Sequence, residues 1–236
     1  MKPYFSIIIP TFERASIIER AIQSVVNQTF LNWELIVVDD GSKDNTREVV
    51  GQYVRQDPRI QYHWQENKEL NGARNKGIHL SSGMYILFLD DDDVFLPSHL
   101  AVLAQYLMFH NNPETIVKTT MKVVGKGKME TTSESLSGSR DEMVKRYWYN
   151  PQNLLTFAFH HQIFELNQFD ENSILADDFN FLVNVLLLHP FVQLHECTAI
   201  YYLNDNSRSL RYIDRSKFDN KIANPSNKHG TTTLWH

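Results

Sequence analysis

The chain has 236 residues, 42% hydrophobic and 22% charged, with a formal net charge of −5. That is the size and balance of one large α/β domain with a full core. The acidic balance argues against a general nucleic-acid binder, which carries a basic patch or a high pI. The lone cysteine, Cys197, excludes an internal disulfide and fits a small core residue. No apolar run approaches the roughly 20 residues of a bilayer span, and a strand begins within the first few residues, where a signal peptide would sit. Together these predict a cytoplasmic protein whose membrane contact is at most peripheral, at the inner face.

In chain order, the apolar run Phe5-Ser6-Ile7-Ile8-Ile9-Pro10-Thr11 predicts a buried strand ending at Thr11. Ser16 and Glu19 have the spacing of a capping box, and Ile18, Ala21, Ile22, Val25 and Val26 form the stripe of an amphipathic helix. Residues 34–38 predict a second strand, which ends in the turn Asp39-Asp40-Gly41-Ser42. A helix bearing Val49, Val50, Tyr53 and Val54 follows, then a short strand over 60–64. Residues 73–80 predict a helix stopped by Ser81-Ser82-Gly83, with Gly83 suited to a left-handed cap. The strand 84–89 comes next, running straight into four aspartates at 90–93; after it, Pro97 opens a helix carrying Leu100, Leu103 and Leu107. Such alternation predicts a mostly parallel central sheet with helices on both faces.

Beyond Asn112 the pattern loosens. Residues 116–124 predict a strand, and 125–140, rich in Gly, Ser, Thr and Lys, a mobile loop. Residues 151–164 straddle a short helix and a strand, 178–188 form a helix ended by Pro190, and 191–203 a strand. The expected organisation is a single domain over 1–210, with halves 1–112 and 113–210, and a polar tail over 211–236.

The aspartates Asp90, Asp91, Asp92 and Asp93 carry most of the chemistry. Two carboxylates about 5 Å apart repel by roughly 3 kcal/mol at an effective dielectric of 20. The cluster therefore needs solvent, raised pKa values or a cation, and a hard divalent ion with positions left for water and phosphate suits it. A solvated acidic turn is the alternative. Three predicted strands deliver Thr11, Asp39 and this cluster to their carboxyl ends, where open α/β sheets bind ligands.

Five segments in this order resemble the family 2 glycosyltransferases, inverting enzymes with the A-type nucleotide-diphospho-sugar transferase fold. They are Ser6-Ile7-Ile8-Ile9-Pro10-Thr11-Phe12-Glu13, Ser24-Val25-Val26-Asn27-Gln28-Thr29, Val38-Asp39-Asp40-Gly41-Ser42, Ala73-Arg74-Asn75-Lys76-Gly77 and Phe88-Leu89-Asp90-Asp91-Asp92-Asp93. Looser matches at His160-His161-Gln162-Ile163-Phe164 and Ala176-Asp177-Asp178-Phe179-Asn180-Phe181 extend the likeness to about residue 210.

The resemblance implies a nucleotide-sugar-binding first half and an acceptor-binding second half. It gives Thr11, Glu13 and Asp39 to a uracil-type pocket, Arg74 to the diphosphate, Asp90 or Asp91 to the ribose, and Asp92 with Asp90 to Mg2+ or Mn2+. His160 and His161 fall on the acceptor side. Asp178 takes the position of the catalytic base with Asp177 before it; capping of a helix N-terminus is the competing explanation of an acid there, and the base is favoured because general-base work needs a carboxylate on the acceptor face. Asp40 is expected to organise its turn, and Asn75 to cap a helix. Two positions depart from the pattern: Glu69 stands where a glycine is expected, and Asn204 where many relatives have histidine. The implied activity is metal-dependent inverting transfer from a nucleoside-diphosphate sugar, with UDP favoured, to a glycan or lipid-linked acceptor; a homo-oligomer is compatible with it. The rival readings are a nucleotidyltransferase, for which residues 10–16 lack a Gly-rich triphosphate loop, and a non-catalytic sugar-nucleotide-binding module.

Overall fold

The computed structural model describes residues 2–125, 128–132, 154–172 and 177–203. Along the chain these form β1 (Phe5–Thr11), α1 (Ile18–Val26), β2 (Trp33–Asp39), α2 (Thr46–Gln56), β3 (Ile60–Trp64), α3 (Glu69–Leu80) and β4 (Tyr85–Phe88). There follow β5 (Val94–Phe95), α4 (His99–His110), β6 (Ile116–Gly125), β7 (Lys128–Thr132), a 3-10 turn (Leu154–Thr156), β8 (Phe157–His160), α5 (Ile163–Leu166), α6 (Asp177–Leu188) and β9 (Phe191–Tyr202). Met1–Tyr202 form one compact unit and Leu203–His236 a second, of which only Leu203 is described. Among the described residues no helix is long and apolar enough to cross a membrane.

The strands run β3-β2-β1-β4-β8-β6-β9-β5 in one sheet, with β7 paired to β6. The first four are parallel, as the strand–helix alternation predicts. Beyond β4 the sheet is mixed: β8 is antiparallel to both β4 and β6, β9 parallel to β6, and β5 antiparallel to β9.

β1, β2 and β4 are buried along their whole length and read as largely apolar runs, whereas the edge strand β3 alternates Ile60, Gln61, Tyr62, His63 and Trp64 and is only partly buried. In β1 the odd residues Phe5, Ile7 and Ile9 pack with Ile22 of α1, Val50 of α2 and Leu103 of α4. Ile8 points the other way, into a cluster with Ile86, Phe88, Phe159, Phe181 and Leu182. Each such buried side chain contributes about 1.5–3 kcal/mol. Helix α3 lies close on β1 because Gly77 has no side chain: a Cβ there would sit 2.4 Å from Ile8 Cγ2.

Several local expectations are corrected. The Ser16–Glu19 capping box does not form; α1 starts after Ile17 without a side-chain cap, and Glu19 instead accepts the Tyr53 hydroxyl at 2.9 Å. Helix α3 begins at Glu69, four residues before the predicted start, so Arg74 and Asn75 lie inside it. That helix ends at an extended Ser81 (φ −70°, ψ 141°), and Gly83 has no left-handed φ. Glycine is needed at 83 because a Cβ would come within 2.6 Å of the Ser6 backbone nitrogen. Residues 128–132, expected in a loop, form β7 against β6. The remainder of that expected loop (126–127 and 133–140), residues 151–153, Asn204 and the 211–236 tail lie outside the described residues.

Candidate active site

Parallel register brings the carboxyl ends of β1, β2 and β4 together. Thr11 is paired with Asp39, and Ile8 with Phe88. The Thr11 hydroxyl donates to Asp91 Oδ2 at 2.8 Å, while the Thr11 carbonyl accepts the Asp40 N–H at 2.9 Å. Thr11, Asp39 and the acidic loop thus share one edge of the sheet.

Asp39 is buried and organised by the protein: Oδ1 accepts the Ser42 N–H at 2.8 Å and Oδ2 the Tyr62 hydroxyl at 2.6 Å. Burial, then the bond to Asp39, raises the Tyr62 pKa above its ordinary value, so the phenol remains a donor. Asp40 holds the neighbouring loop by accepting from Gln65 Nε2 at 2.7 Å and the Lys68 N–H at 2.9 Å. Glu13 is exposed, with its N–H on Ser42 Oγ at 2.8 Å and a left-handed φ of +54°. Such a conformation in a non-glycine residue costs of the order of 1–3 kcal/mol and concentrates at ligand sites.

The four aspartates divide by position. Asp91 and Asp93 are buried and engaged: Asp91 with Thr11 and, at 3.9 Å, Arg14; Asp93 Oδ1 accepts the Tyr202 N–H at 2.9 Å. Asp90 and Asp92 are half-buried and reach solvent. Arg20 donates to the Asp92 carbonyl and lies 3.8 Å from the centre of the Tyr202 ring, tying α1 and the end of β9 to the loop. Burial pushes the Asp91 pKa up to about 7. Asp90 is raised above the ordinary carboxylate range, by its partial burial first, against the pull of Arg74 and with further push from Asp178 and Asp92. Asp93 is raised well above the carboxylate range, burial again the largest cause.

Among the described residues no three acidic, His or Cys side chains form a complete metal cage. Two carboxylates reaching solvent, with the rest of the coordination left open, nevertheless fit Mg2+ or Mn2+, which keep positions for water and phosphate oxygens.

Arg74, in the second turn of α3, is 1% exposed. One terminal nitrogen bonds Asp178 in the first turn of α6, and the other approaches Asp90 Oδ1 at 3.4 Å. A buried guanidinium is tolerated only where carboxylates offset its desolvation, and here two do so from opposite halves of the chain. Asp177 opens α6; its side chain is outside the described set. His160 and His161 are not brought to this edge. His160 pairs with Tyr85, the first residue of β4, and the His161 N–H bonds the Met84 carbonyl at 3.0 Å. At about 3.3 Å per residue, Tyr85 lies roughly 16 Å of strand before Asp90.

Sequence reasoning passed over Tyr62 and Arg20, whose partners come from distant segments, and assigned Asn75 only a cap. The usable signal was the spacing of Asn71 and Asn75, one turn apart on the Arg74 face.

A parallel β3-β2-β1-β4 half with carboxylates at its carboxyl edge, continued by a mixed half, is the A-type glycosyltransferase architecture. The family model "Glycosyl transferase family 2" matches residues 6–170, and the chain belongs to that family. One relative is the GalNAc(5)-diNAcBac-PP-undecaprenol beta-1,3-glucosyltransferase of Campylobacter jejuni, 43% identical over 105 residues, covering 44% of this chain and 34% of the relative. The matched stretch is thus about a third of that protein's length. S. aureus TarS bound to UDP-GlcNAc superposes with a TM-score of 0.75 at 23% identity, covering 92% of this chain and 63% of that one. The mannosyltransferase PcManGT of Pyrobaculum calidifontis, in complex with GDP-Man and Mn2+, gives 0.69 at 16% identity, with 98% and 66% covered. At these identities the two structures show a shared fold.

Proposed function

We propose that this chain is a metal-dependent, inverting glycosyltransferase that moves a sugar from a UDP-sugar to a hydroxyl of a glycan or lipid-linked acceptor in cell-surface polysaccharide synthesis. The observation that carries this reading is the Arg74 bridge, which sets Asp178 of α6 beside Asp90 of the acidic loop. An acid from the acceptor half and a metal-type loop from the nucleotide half thereby face one reaction space. Family membership and the UDP-GlcNAc and Mn2+ complexes of the structural neighbours support the substrate class and the ion.

In this mechanism Thr11, Glu13 and Asp39 receive the nucleoside. Asp39 already accepts two protein hydrogen bonds, but a carboxylate has about four lone-pair sites and can accept an N–H of the base as well. Asp90 and Asp92 would hold a divalent ion, which would supply charge neutralisation for the departing diphosphate; Asp90 or Asp91 also reaches the ribose. Asp178 takes the proton of the acceptor hydroxyl as that oxygen attacks the anomeric carbon from the face opposite the diphosphate, inverting the configuration. Arg74, held between two carboxylates, is close enough to the acidic loop to face the diphosphate too. Asp177 is placed beside the base in sequence and has the milder role. His160 and His161, at the far end of β4, take no part in this scheme.

The test is incubation with Mn2+ and a panel of UDP-sugars, with polyprenyl-diphosphate-linked glycans as acceptors, following UDP release and product anomer. Inverted product is expected from at least one pair. UDP release with retention of configuration would contradict the role of Asp178.

A further inference from the structure

Asn71, Arg74 and Asn75 share one face of α3, at spacings of three and four residues. Asn71 Nδ2 donates to the Asp170 carbonyl at 2.8 Å. Asn75 takes both backbone groups of Phe169: its Oδ1 accepts the N–H at 3.0 Å and its Nδ2 donates to the carbonyl at 2.9 Å, reaching Glu171 Oε1 at 2.9 Å as well. One side-chain amide thus supplies Phe169 with the pairing that a neighbouring strand would give.

Phe169 is buried. Its ring stacks on Phe181 with centroids 4.3 Å apart, meets Phe88 edge-on at 5.3 Å, and has the Arg74 guanidinium 5.3 Å from its centre. Phe181 and Asp178 are three residues apart at the start of α6 and lie on one side of it. Two routes therefore run from α3 to the same turn of α6. Arg74 reaches it directly through Asp178, and Asn75 indirectly through Phe169 and Phe181. Both cross about a hundred residues of sequence, from an element packed on β1 and β2 of the nucleotide half.

We propose that Asn75 and Arg74 are positioning residues for Asp178, so that α3 of the nucleotide half sets where the acceptor-side base stands relative to the acidic loop. This rests on the reading of Asp178 as the base. Asn75 touches no reacting atom in this account; it acts through the backbone of Phe169.

The experiment uses the full chain and Asn75→Ala. Amide hydrogen exchange is followed over 169–172, the first two turns of α6, β1 and β2. UDP binding with Mn2+, and UDP release from the UDP-sugar and acceptor pair found active in the panel above, are measured in parallel. Exchange should speed up about tenfold or more at Phe169 and in the second turn of α6 (181–184), the first to carry intrahelical N–H bonds, while β1 and β2 stay protected. kcat should fall about tenfold or more, since a displacement near 1 Å is enough for such a loss, with KM for that UDP-sugar and UDP affinity within about twofold of the parent. Where Asn75→Ala does not fold, Phe181→Leu removes the ring stacked on Phe169, leaves Asn75 in place and should give the same pattern. Unchanged exchange at α6, or UDP affinity falling in step with kcat, overturns the proposal. Failure of the parent protein to bind UDP with Mn2+ would instead overturn the reading of the site, and the exchange result would still decide whether α3 positions α6.

Discussion

Arg74 and Asp178, 104 residues apart in sequence, form an ion pair in which the guanidinium is almost wholly buried and the carboxylate is 25% exposed. This contact joins α3 to the first turn of α6, and it makes Asp178 answerable to two separate measurements.

Asp178→Asn retains the size and a hydrogen-bond acceptor for Arg74 but removes the proton acceptor. Sugar transfer should fall by about 10²- to 10⁴-fold, the range of general-base catalysis, with UDP–Mn2+ affinity nearly unchanged. Arg74 then keeps Asp90 as its charged partner. The stability loss should therefore stay near 1–2 kcal/mol, below the 3–5 kcal/mol of breaking a fully buried pair. Calorimetric titration and a denaturant midpoint read the two effects independently; a large loss of UDP affinity would assign Asp178 to donor binding.

Glu69 has a φ of +62° at the head of α3, the position at which the family pattern expects glycine. The left-handed region costs a side-chain-bearing residue roughly 1–2 kcal/mol, part of which glycine returns in unfolded-state entropy. Glu69→Gly should raise stability by about 0.5–1 kcal/mol, seen as a higher urea midpoint at unchanged slope. A lower midpoint would mean that contacts of the Glu69 side chain outweigh its backbone strain.

The conformation at Glu69 shows how far sequence carries. The parallel strands, the helices on both faces and the shared edge of Thr11, Asp39 and the acidic loop were legible, because apolar runs on β1, β2 and β4 end in polar residues at matching points. The identity of 69 as an off-pattern position was legible; its positive φ was not, since α3 begins four residues before its apolar pattern does. The inward turn of Asp91 and Asp93 depends on Thr11 and Tyr202, partners 80 and 109 residues away. The remoteness of His160 follows from the antiparallel register of β8 on β4, which local pattern does not specify.

His99 supplies the pH dependence. It is fully buried, with Nδ1 2.7 Å from the Thr198 hydroxyl and its ring stacked on Phe95, and burial lowers its pKa to about 3 from 6.5. The unfolded chain takes up this proton below pH 6.5 and the folded chain does not. Stability is therefore fully present above about 6.5 and lost as pH falls towards 3, by about 1.4 kcal/mol per pH unit. The raised carboxylates of the acidic loop act in the opposite sense, so the difference between parent and His99→Gln isolates the histidine. Melting curves between pH 7 and pH 4.5 should show the parent losing stability faster than the variant by roughly 2–3 kcal/mol. Parallel curves would mean that His99 becomes protonated without unfolding.

Titration of UDP into the protein with and without Mn2+, repeated on Asp92→Ala, decides whether the acidic loop is a metal-dependent nucleotide site. A ligand that binds only the folded chain stabilises it by about 2.7 kcal/mol at a hundredfold excess over Kd. UDP and Mn2+ together should bind and raise the melting temperature, UDP alone should do so much less, and Asp92→Ala should lose the Mn2+ enhancement. Equal binding of UDP with and without Mn2+, or an Mn2+ enhancement that survives in Asp92→Ala, would contradict that role of the acidic loop.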